Sequence, residues 1–426
     1  MIPAQVAPPP GFEPGGPVDT AVTTTTAPAG DPLWSGGVDT TAVLIALGKV
    51  IVVFALILVS VMLYVWFMRR VIGKMQNRPG PNIAGPFGIL QTLADGIKLF
   101  FKEHMIPDRA DRPVYLLAPY LSIVPALLAF SLIPIGGEVT VFGKTTYLQV
   151  ADVPIGVLFI LAMSGIGLYG VMLAGWSSGS KYPLLGSVRA SAQLLSYEGA
   201  LGLAIVGVLI QAGTLSTRGI VNEQGWTGWG SVVGDWFWLP ALVPFVIFII
   251  AAIAETNHPP FDLVEAEQEL TGGFHTEYTG IRFAIFFLAE FMNVITMSAL
   301  AVTLFLGGPA GPHIETVSWL WPIVWFMLKL WALLFCTVWI RAALPRLRYD
   351  QLMGLGWKYL IEIAVLWAIV ATAVVVGREE DWNLWAVIPA VVAVVLVAYA
   401  LLWAAMSRPQ ALEESAPAPT TPEGVG

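Results

Sequence analysis

The chain has 426 residues, of which 57% are hydrophobic and only 12% are charged, and its mean hydropathy is +0.75. Soluble domains carry roughly a quarter charged residues, so this composition excludes an ordinary soluble protein and predicts an all-α polytopic membrane protein. The net charge of −8 is not accompanied by a basic patch with interleaved aromatic residues, which excludes nucleic acid as a partner. The single cysteine, Cys336, excludes a disulfide framework and a cysteine-ligated metal or iron–sulfur site within the chain, and we expect it to be a small core residue.

The two ends of the chain differ from the rest in composition. Residues 1–41 are rich in proline, threonine, glycine and alanine and contain no lysine or arginine, so they lack the basic region of a signal peptide. Residues 407–426 are likewise rich in proline, alanine, threonine and glycine, with Arg408 as their one basic residue. Such segments cannot bury enough apolar surface to fold alone, and we expect both ends to be disordered.

Residues 42–406 form the predicted membrane domain. A stretch of ~20 apolar residues crosses a bilayer as a helix, and the sequence predicts about nine transmembrane helices. The spans run approximately over residues 42–68, 114–135, 153–175, 188–213, 236–255, 281–306, 319–343, 357–377 and 385–406.

An amphipathic helix is predicted over residues 86–103, between the first two spans. Apolar residues follow one face of this helix, whereas Gln91, Asp95, Lys98 and Lys102 follow another. The segment is too polar to span, so we expect it to lie at the membrane surface or under a partner. An interfacial anchor is the simplest interpretation, and Asp95 is the residue of this helix that could have a functional role beyond anchoring.

The basic residues predict the orientation of the spans, because cytoplasmic connections carry more lysine and arginine. The connection from Arg69 to Arg112 holds eight of them, and alternate connections carry the others on the same side. Only Lys144, Arg218 and Arg378 fall on the opposite side. We therefore expect the N-terminus outside and the C-terminus in the cytoplasm.

A dense acidic segment lies between the fifth and sixth predicted spans. No lysine or arginine occurs between Arg218 and Arg282, so its acids have no cationic neighbour in sequence. A solvated acidic loop is the simple interpretation, and a meeting point for water, protons or a partner protein is the functional one. The six carboxylates are those of Glu255, Asp262, Glu265, Glu267, Glu269 and Glu277.

Two further acids, Glu198 and Glu290, lie inside predicted spans. The nearest preceding cations, Arg189 and Arg282, are nine and eight residues away, which is ~12–14 Å of helical rise and too far for direct contact. Carboxylates at membrane depth favour the functional interpretation, which is the movement of protons or of a small lipid-soluble substrate.

Two other patterns carry no chemistry. The string from Gly165 to Gly170 matches a dinucleotide fingerprint, but it lies inside the third span with no preceding strand, so we interpret it as close helix packing on small residues. The histidines are scattered without metal-ligand spacing, and we expect no metal site and no cofactor bound by this chain. They are His104, His258, His275 and His313.

Four segments, in the right order over roughly residues 45–380, resemble signatures of the quinone-chamber membrane subunit of respiratory complex I, which is designated H in bacteria and 1 in mitochondria. The first is the Arg69-Arg70 pair with Gly73 to Glu103, and the second is Gly175 to Glu198. The third runs from Glu255 to Glu290 and the fourth from Leu344 to Trp357.

The resemblance implies a function and a set of site residues. In that family the subunit forms most of the chamber in which quinone is reduced and begins a chain of carboxylates that leads to pumping subunits. The residues implied for the quinone chamber are Arg69, Arg70, Arg78, Asp95, Tyr197, Phe274, Arg341, Arg346 and Arg348. Those implied for the proton path are Glu198, Glu255, Asp262, Glu265, Glu267, Glu269 and Glu290.

The resemblance also implies the surroundings of the chain. Quinone is the expected substrate, and iron–sulfur clusters and FMN are expected in partner subunits. The partners are peripheral iron–sulfur subunits at the cytoplasmic face and small and antiporter-like membrane subunits, all in or on a bacterial cytoplasmic membrane.

Three positions depart from the family pattern. Met68 stands where the family commonly has glutamate, His258 where it usually has arginine, and Val264 where it usually has proline. Two alternatives stay open from the sequence: the membrane anchor of a related hydrogenase, and a stand-alone ion transporter. Copurification with iron–sulfur and flavin subunits, with nickel–iron subunits, or with neither would distinguish the three.

Overall fold

The computed structural model describes most of the membrane domain. The described residues do not include residues 1–30 of the predicted arm, the tail 407–426, or Glu265, Glu267 and Glu269. Of the predicted span 385–406 they include only a few isolated positions. The described residues are 31–34, 37–228, 230–264, 271–312, 319–380, 382, 389, 393, 394 and 397.

Seven helices in the described part of the chain are long and apolar enough to cross a membrane. They confirm a helical polytopic architecture. We label them α1 (Thr40–Met75), α3 (Arg112–Ser131), α4 (Gly156–Ser177), α5 (Lys181–Ala212), α9 (Ile281–Phe305), α10 (Leu320–Ala343) and the continuous pair α11 (Tyr349–Leu355) and α12 (Ile361–Glu379), joined by a π-helical turn at Gly356–Leu360.

The predicted span 236–255 is shorter than expected. Helix α8 covers only Leu242–Glu255, which is 14 residues. At 1.5 Å per residue it rises ~21 Å, less than the ~30 Å of a bilayer core. Residues 236–241 form turns instead, because Pro240 disfavours a helical conformation at the residue before it. The short helices α6 (Thr217–Glu223) and α7 (Ser231–Gly234) precede it.

A β-hairpin departs from the all-α prediction. Strands β1 (Glu138–Val141) and β2 (Lys144–Tyr147) pair antiparallel between α3 and α4. Their two-residue loop is Phe142-Gly143, with φ of 50° and 77°, and two positive φ values are what a tight hairpin turn requires. We call the end of the bundle that holds β1, β2 and α6 the hairpin end.

The segment before α1 is anchored at the hairpin end. Asp31 lies 2.5 Å from Lys49 Nζ of α1, and both of its carboxylate oxygens accept from Thr146 Oγ1 of β2, at 3.0 and 2.9 Å. Leu33, in a 3₁₀ turn, packs against Ala42 and Ile45. The predicted arm 1–41 is therefore ordered from Asp31 to Trp34, because this ion pair and this small core fix it.

The helix within the predicted amphipathic segment 86–103 is shorter than that segment. Helix α2 spans Gln91–Phe101, and a 3₁₀ turn at Pro86–Gly88 precedes it. Its apolar side chains are exposed, with Phe100 at 67% and Phe101 at 88%. Helix α2 and residues 344–348 mark the end of the bundle opposite the hairpin, which we call the arginine end.

Helix α9 is the centre of the core. Nearly every side chain from Phe291 to Phe305 is buried, and α9 packs against α1, α3, α8 and α10. The expectation of a buried Cys336 is wrong, since this residue is exposed on α10. The reason is that α10 directs only a narrow stripe of residues, including Phe326 and Val338, into the core.

Candidate functional site: an acidic cavity between five helices

Three glutamates from three helices line one cavity. Glu198 of α5, Glu255 at the end of α8 and Glu290 of α9 face a space of about 100 Å³ that α3 and α4 close on the other side. A cavity of this size with three carboxyl groups in its wall is large enough for water molecules. The cavity brings together two acids that the sequence placed inside spans and one that it placed at the edge of the acidic segment.

Small residues of α4 leave room for the carboxylates. A Cβ atom at Gly165 would lie 3.0 Å from Glu198 Oε1, whereas one at Gly167 would meet nothing within 4 Å. Gly170 packs directly on α3 at Ser122. Close helix packing is therefore found at Gly170, whereas Gly165 leaves room for Glu198.

Glu255 is held from one side only. Its side chain is buried, and the Ser164 hydroxyl of α4 donates a hydrogen bond to Oε1. Its other oxygen, Oε2, has no hydrogen-bond partner among the described residues. A buried carboxylate usually needs several donors to compensate its desolvation when it is ionised. Glu255 therefore lines the cavity with a single protein donor to its carboxylate.

Glutamine and backbone contacts hold the acidic segment in place. Gln193 Nε2 of α5 donates to the carbonyl oxygens of Ala254 at 2.8 Å and of Phe261 at 2.9 Å. The Leu347 N–H, between two arginines of the arginine end, donates to Pro260 O at 3.1 Å. The chain after α8 is therefore tied both to the helix that carries Glu198 and to the segment that carries Arg346 and Arg348.

His258 lies beside Glu290. Its Nδ1 is 2.9 Å from Thr256 O and 3.4 Å from Glu290 Oε1. Burial, with a smaller contribution from the charge of Arg341, lowers the pKa of His258 to about 3, so the ring is neutral at physiological pH. A neutral ring whose Nδ1–H donates to Thr256 does not form an ion pair with Glu290.

The residues of α1 and α2 that were predicted for the quinone chamber meet at the arginine end. Arg69 Nη1 lies 2.8 Å from Asp95 Oδ2, and both side chains are about two-fifths exposed. Arg70 Nη1 donates to Phe87 O at 2.7 Å, and its guanidinium lies over the rings of Trp66 and Phe87 at 5.6 and 5.2 Å from their centroids. The structure therefore brings Arg69, Arg70 and Asp95 together on the surface.

The remaining arginines are spread along the same end. Arg341 Nη1 is 3.1 Å from Met68 Sδ, a weak and uncharged acceptor at the position where the family commonly has glutamate. Arg78 bonds to Gln76, and Arg346 is exposed. Arg348 pairs with Asp350 at 3.2 Å, and both are largely exposed.

Two predicted quinone-side residues lie elsewhere. Tyr197 is fully buried, and its hydroxyl donates to Leu352 O at 2.9 Å, so it anchors α11 to α5. Phe274 lines the acidic cavity and packs edge-on against Phe286 at 5.3 Å. Neither residue joins the exposed arginine cluster in this chain.

Sequence reasoning missed several residues of the site. Ser164 and Asn293 line the cavity, and Asn293 could have been found because it follows Glu290 by three positions on the same helical face. Asp262 is half-buried in the loop after α8. Among the described residues, no three histidine, cysteine, aspartate or glutamate side chains are grouped so that they could hold a metal ion.

Comparison with known proteins finds a matching family model and similar sequences. A family model described as NADH dehydrogenase matches residues 48–372. The H subunit of NADH-quinone oxidoreductase from Frankia alni is 51% identical over 390 residues, covering 90% of this chain and 84% of the relative. The H subunit from Frankia casuarinae is 51% identical over 381 residues, covering 88% of this chain and 80% of the relative.

Proposed function

We propose that this chain, which belongs to the family of NADH-quinone oxidoreductase H subunits, couples quinone reduction to proton movement. As a subunit of that enzyme, it would do so through two connected sites. The arginine end forms part of the chamber in which quinone is reduced. The cavity of Glu198, Glu255 and Glu290 begins the proton path.

The observation that carries this proposal is the convergence of three glutamates on one cavity. Acids on separate helices that share a cavity influence one another's ionisation, so a change of charge nearby can redistribute their protons. Quinone reduction consumes two protons and changes charge, and it would supply that stimulus. Asp262 and the undescribed Glu265, Glu267 and Glu269 would extend the path on the cytoplasmic side.

The arginine end suits a lipid-soluble substrate with a polar head. Helix α2 offers exposed apolar side chains beside the charged pair of Arg69 and Asp95. An isoprenoid tail would lie along the apolar face while the head group meets donors. Arg70, Arg78, Arg341, Arg346 and Arg348 would surround that chamber, with Tyr197 and Phe274 supporting its walls from within the protein.

The two sites are joined by short contacts that could transmit the change. His258 is within the electrostatic influence of Arg341 and 3.4 Å from Glu290. The Leu347 N–H bonds to Pro260 O, so a displacement of the arginine segment would pull on the chain after Glu255. Because His258 is neutral, it does not fix the charge of Glu290, and the ionisation of Glu290 can respond to a change of charge at the arginine end.

The proposal includes the surroundings of the chain. Iron–sulfur clusters and FMN belong to partner subunits at the cytoplasmic face, and antiporter-like membrane subunits receive the protons. The proposed topology has about nine membrane crossings, with the N-terminus outside and the C-terminus in the cytoplasm of the bacterial membrane.

Replacement of Glu255 by glutamine tests the proposal. The amide retains size and can still accept from Ser164, but it cannot titrate. In proteoliposomes that contain the whole enzyme, E255Q should lower NADH-driven quinone reduction and proton pumping, while electron transfer from NADH to ferricyanide persists. The matched control is Glu223→Gln, an exposed acid of α6. Wild-type pumping by E255Q would contradict the proposed path.

A further inference from the structure

The carboxyl end of α9, at the hairpin end of the bundle, is closed by side chains. A helix leaves its last four carbonyl groups without intrahelical partners. Here Gln224 Nε2 donates to Thr303 O and Leu304 O at 3.1 Å each, and Gln224 Oε1 accepts from the N–H groups of Gly307 at 3.0 Å and Phe237 at 3.3 Å. The Trp238 N–H bonds to Phe305 O at 2.9 Å.

Lys329 of α10 completes this closure. Its Nζ lies 2.6 Å from Leu306 O, 3.0 Å from Gly308 O and 2.7 Å from Ala310 O. Three carbonyl acceptors match the three N–H donors of an ammonium group. The ammonium also lies 3.9 Å from the centroid of the Trp236 ring, whose π face attracts a cation. The amino group of Lys329 therefore occupies the carbonyl oxygens at the negative end of the helix dipole.

The closed end lies directly beyond the acidic cavity. Met297 is the last residue of α9 that lines the cavity, and Thr303 follows it by six positions, which is ~9 Å of helical rise. Every side chain of α9 between them is buried. A short stretch of buried side chains, from Ser298 to Val302, and the capping contacts of Gln224 and Lys329 therefore lie along α9 between the cavity and the hairpin end.

We propose that Lys329 and Gln224 form a seal that prevents protons and water from crossing the bundle between the acidic cavity and the hairpin end. Without these side chains the carbonyl end of α9 would be unsatisfied inside the bundle and would recruit water or cations. The amino group of Lys329 and the amide of Gln224 occupy those carbonyls, so neither water nor a cation can bind them. Protons in the cavity are thereby restricted to routes that the enzyme controls.

The purpose of the seal rests on the proposed proton path, but the seal itself is measurable without turnover. Whole enzyme is reconstituted in proteoliposomes, and a potassium gradient with valinomycin drives protons through it in the absence of NADH. An internal pH dye reports the passive proton flux. The variants are Lys329→Ala and Gln224→Leu, and the matched control is Lys181→Ala, an exposed lysine at the start of α5.

We expect K329A and Q224L to raise passive proton flux several-fold over the wild type, with K181A unchanged. Propylammonium should lower the flux through K329A, since it supplies an ammonium group to the carbonyl oxygens of Leu306, Gly308 and Ala310 that the lysine no longer contacts. Tetramethylammonium, which has no N–H donor, should not.

Wild-type proton tightness of an assembled K329A enzyme would overturn the seal. Failure of both variants to assemble would also overturn it, because the contacts would then serve folding alone. The result is distinguishable from a failure of the proton path: a broken path lowers coupled turnover in E255Q without a leak, whereas a broken seal raises the leak while quinone reduction continues.

Discussion

Glu290 Oε1 and His258 Nδ1 lie 3.4 Å apart, and the imidazole between this acid and the arginine end is neutral. The sequence placed the nearest cation eight residues from Glu290, on the same helix. Folding brings a titratable ring from the loop after α8 to its side instead. Because the ring is uncharged, it accommodates either ionisation state of Glu290.

The low pKa of His258 predicts a loss of stability in acid. Burial first, and Arg341 second, lower the pKa from 6.5 to about 3, so the unfolded chain binds this proton more readily than the folded one. The stabilisation is complete above pH 6.5 and decreases as the pH falls towards 3. His275, whose pKa burial lowers to about 4, contributes in the same direction.

Blue-native gels of whole enzyme incubated between pH 7 and pH 5 would measure this effect. His258→Gln should lose assembled enzyme less steeply with falling pH than the wild type. Replacement of the exposed His104 by glutamine serves as the control. The same acid dependence in H258Q and the wild type would show that His258 does not carry it.

Asp95→Asn should impair quinone reduction more than assembly. The pair of Asp95 and Arg69 is about two-fifths exposed, and such pairs contribute about 1 kcal/mol or less. Quinone-linked activity should fall while blue-native gels still show the full enzyme. Asp39→Asn, which breaks the exposed pair with Lys144 at the hairpin end, should leave activity intact. Loss of assembly in D95N would support a purely structural role.

Glu198→Gln and Glu290→Gln should each lower coupled turnover. Both side chains line the cavity, and glutamine preserves size and hydrogen bonding but does not titrate. In proteoliposomes with the whole enzyme, pumping and quinone reduction should decrease, and electron transfer from NADH to an artificial acceptor should be unchanged. If both variants pump at wild-type rates, these acids are merely tolerated in the membrane.

Gly165→Ala should act through Glu198, and Gly167→Ala should not. Both changes introduce a residue with higher helix propensity into α4. A Cβ at Gly165 would lie 3.0 Å from Glu198 Oε1, whereas one at Gly167 is unobstructed. Quinone reductase and pumping assays should therefore separate the two variants, with only G165A reduced. Equal activities would indicate that the Glu198 carboxylate shifts without consequence.

The sequence was most informative about residue types at membrane depth. Carboxylates inside apolar runs identified Glu198 and Glu290, because ionisable groups there are costly. Their shared cavity with Glu255 depends on how α5, α8 and α9 pack, which periodicity does not encode. Ser164 was not recognised because α4 is apolar on all sides, so one hydroxyl in that run carries no directional signal.

Two local features of the sequence indicate the β-hairpin and the late start of α8, although hydropathy alone does not show them. The alternation around Phe142-Gly143 is typical of a hairpin, yet hydropathy alone made that stretch a connection. The start of α8 was placed too early because residues 236–241 are apolar, although Pro240 opposes a helix there. The contact of His258 with Glu290 could not be predicted, since it arises from the path of the chain after α8.

The contact of Asp31 with Lys49 and Thr146 has a practical consequence for expressing this protein. An affinity tag fused ahead of residue 31 leaves the contact in place. A truncation that starts after Trp34 removes Asp31 and Leu33 together, and it leaves Lys49, with only 10% of its side chain exposed, without this carboxylate. The boundary that preserves the first helix therefore lies in the polar segment before it, which hydropathy alone would discard.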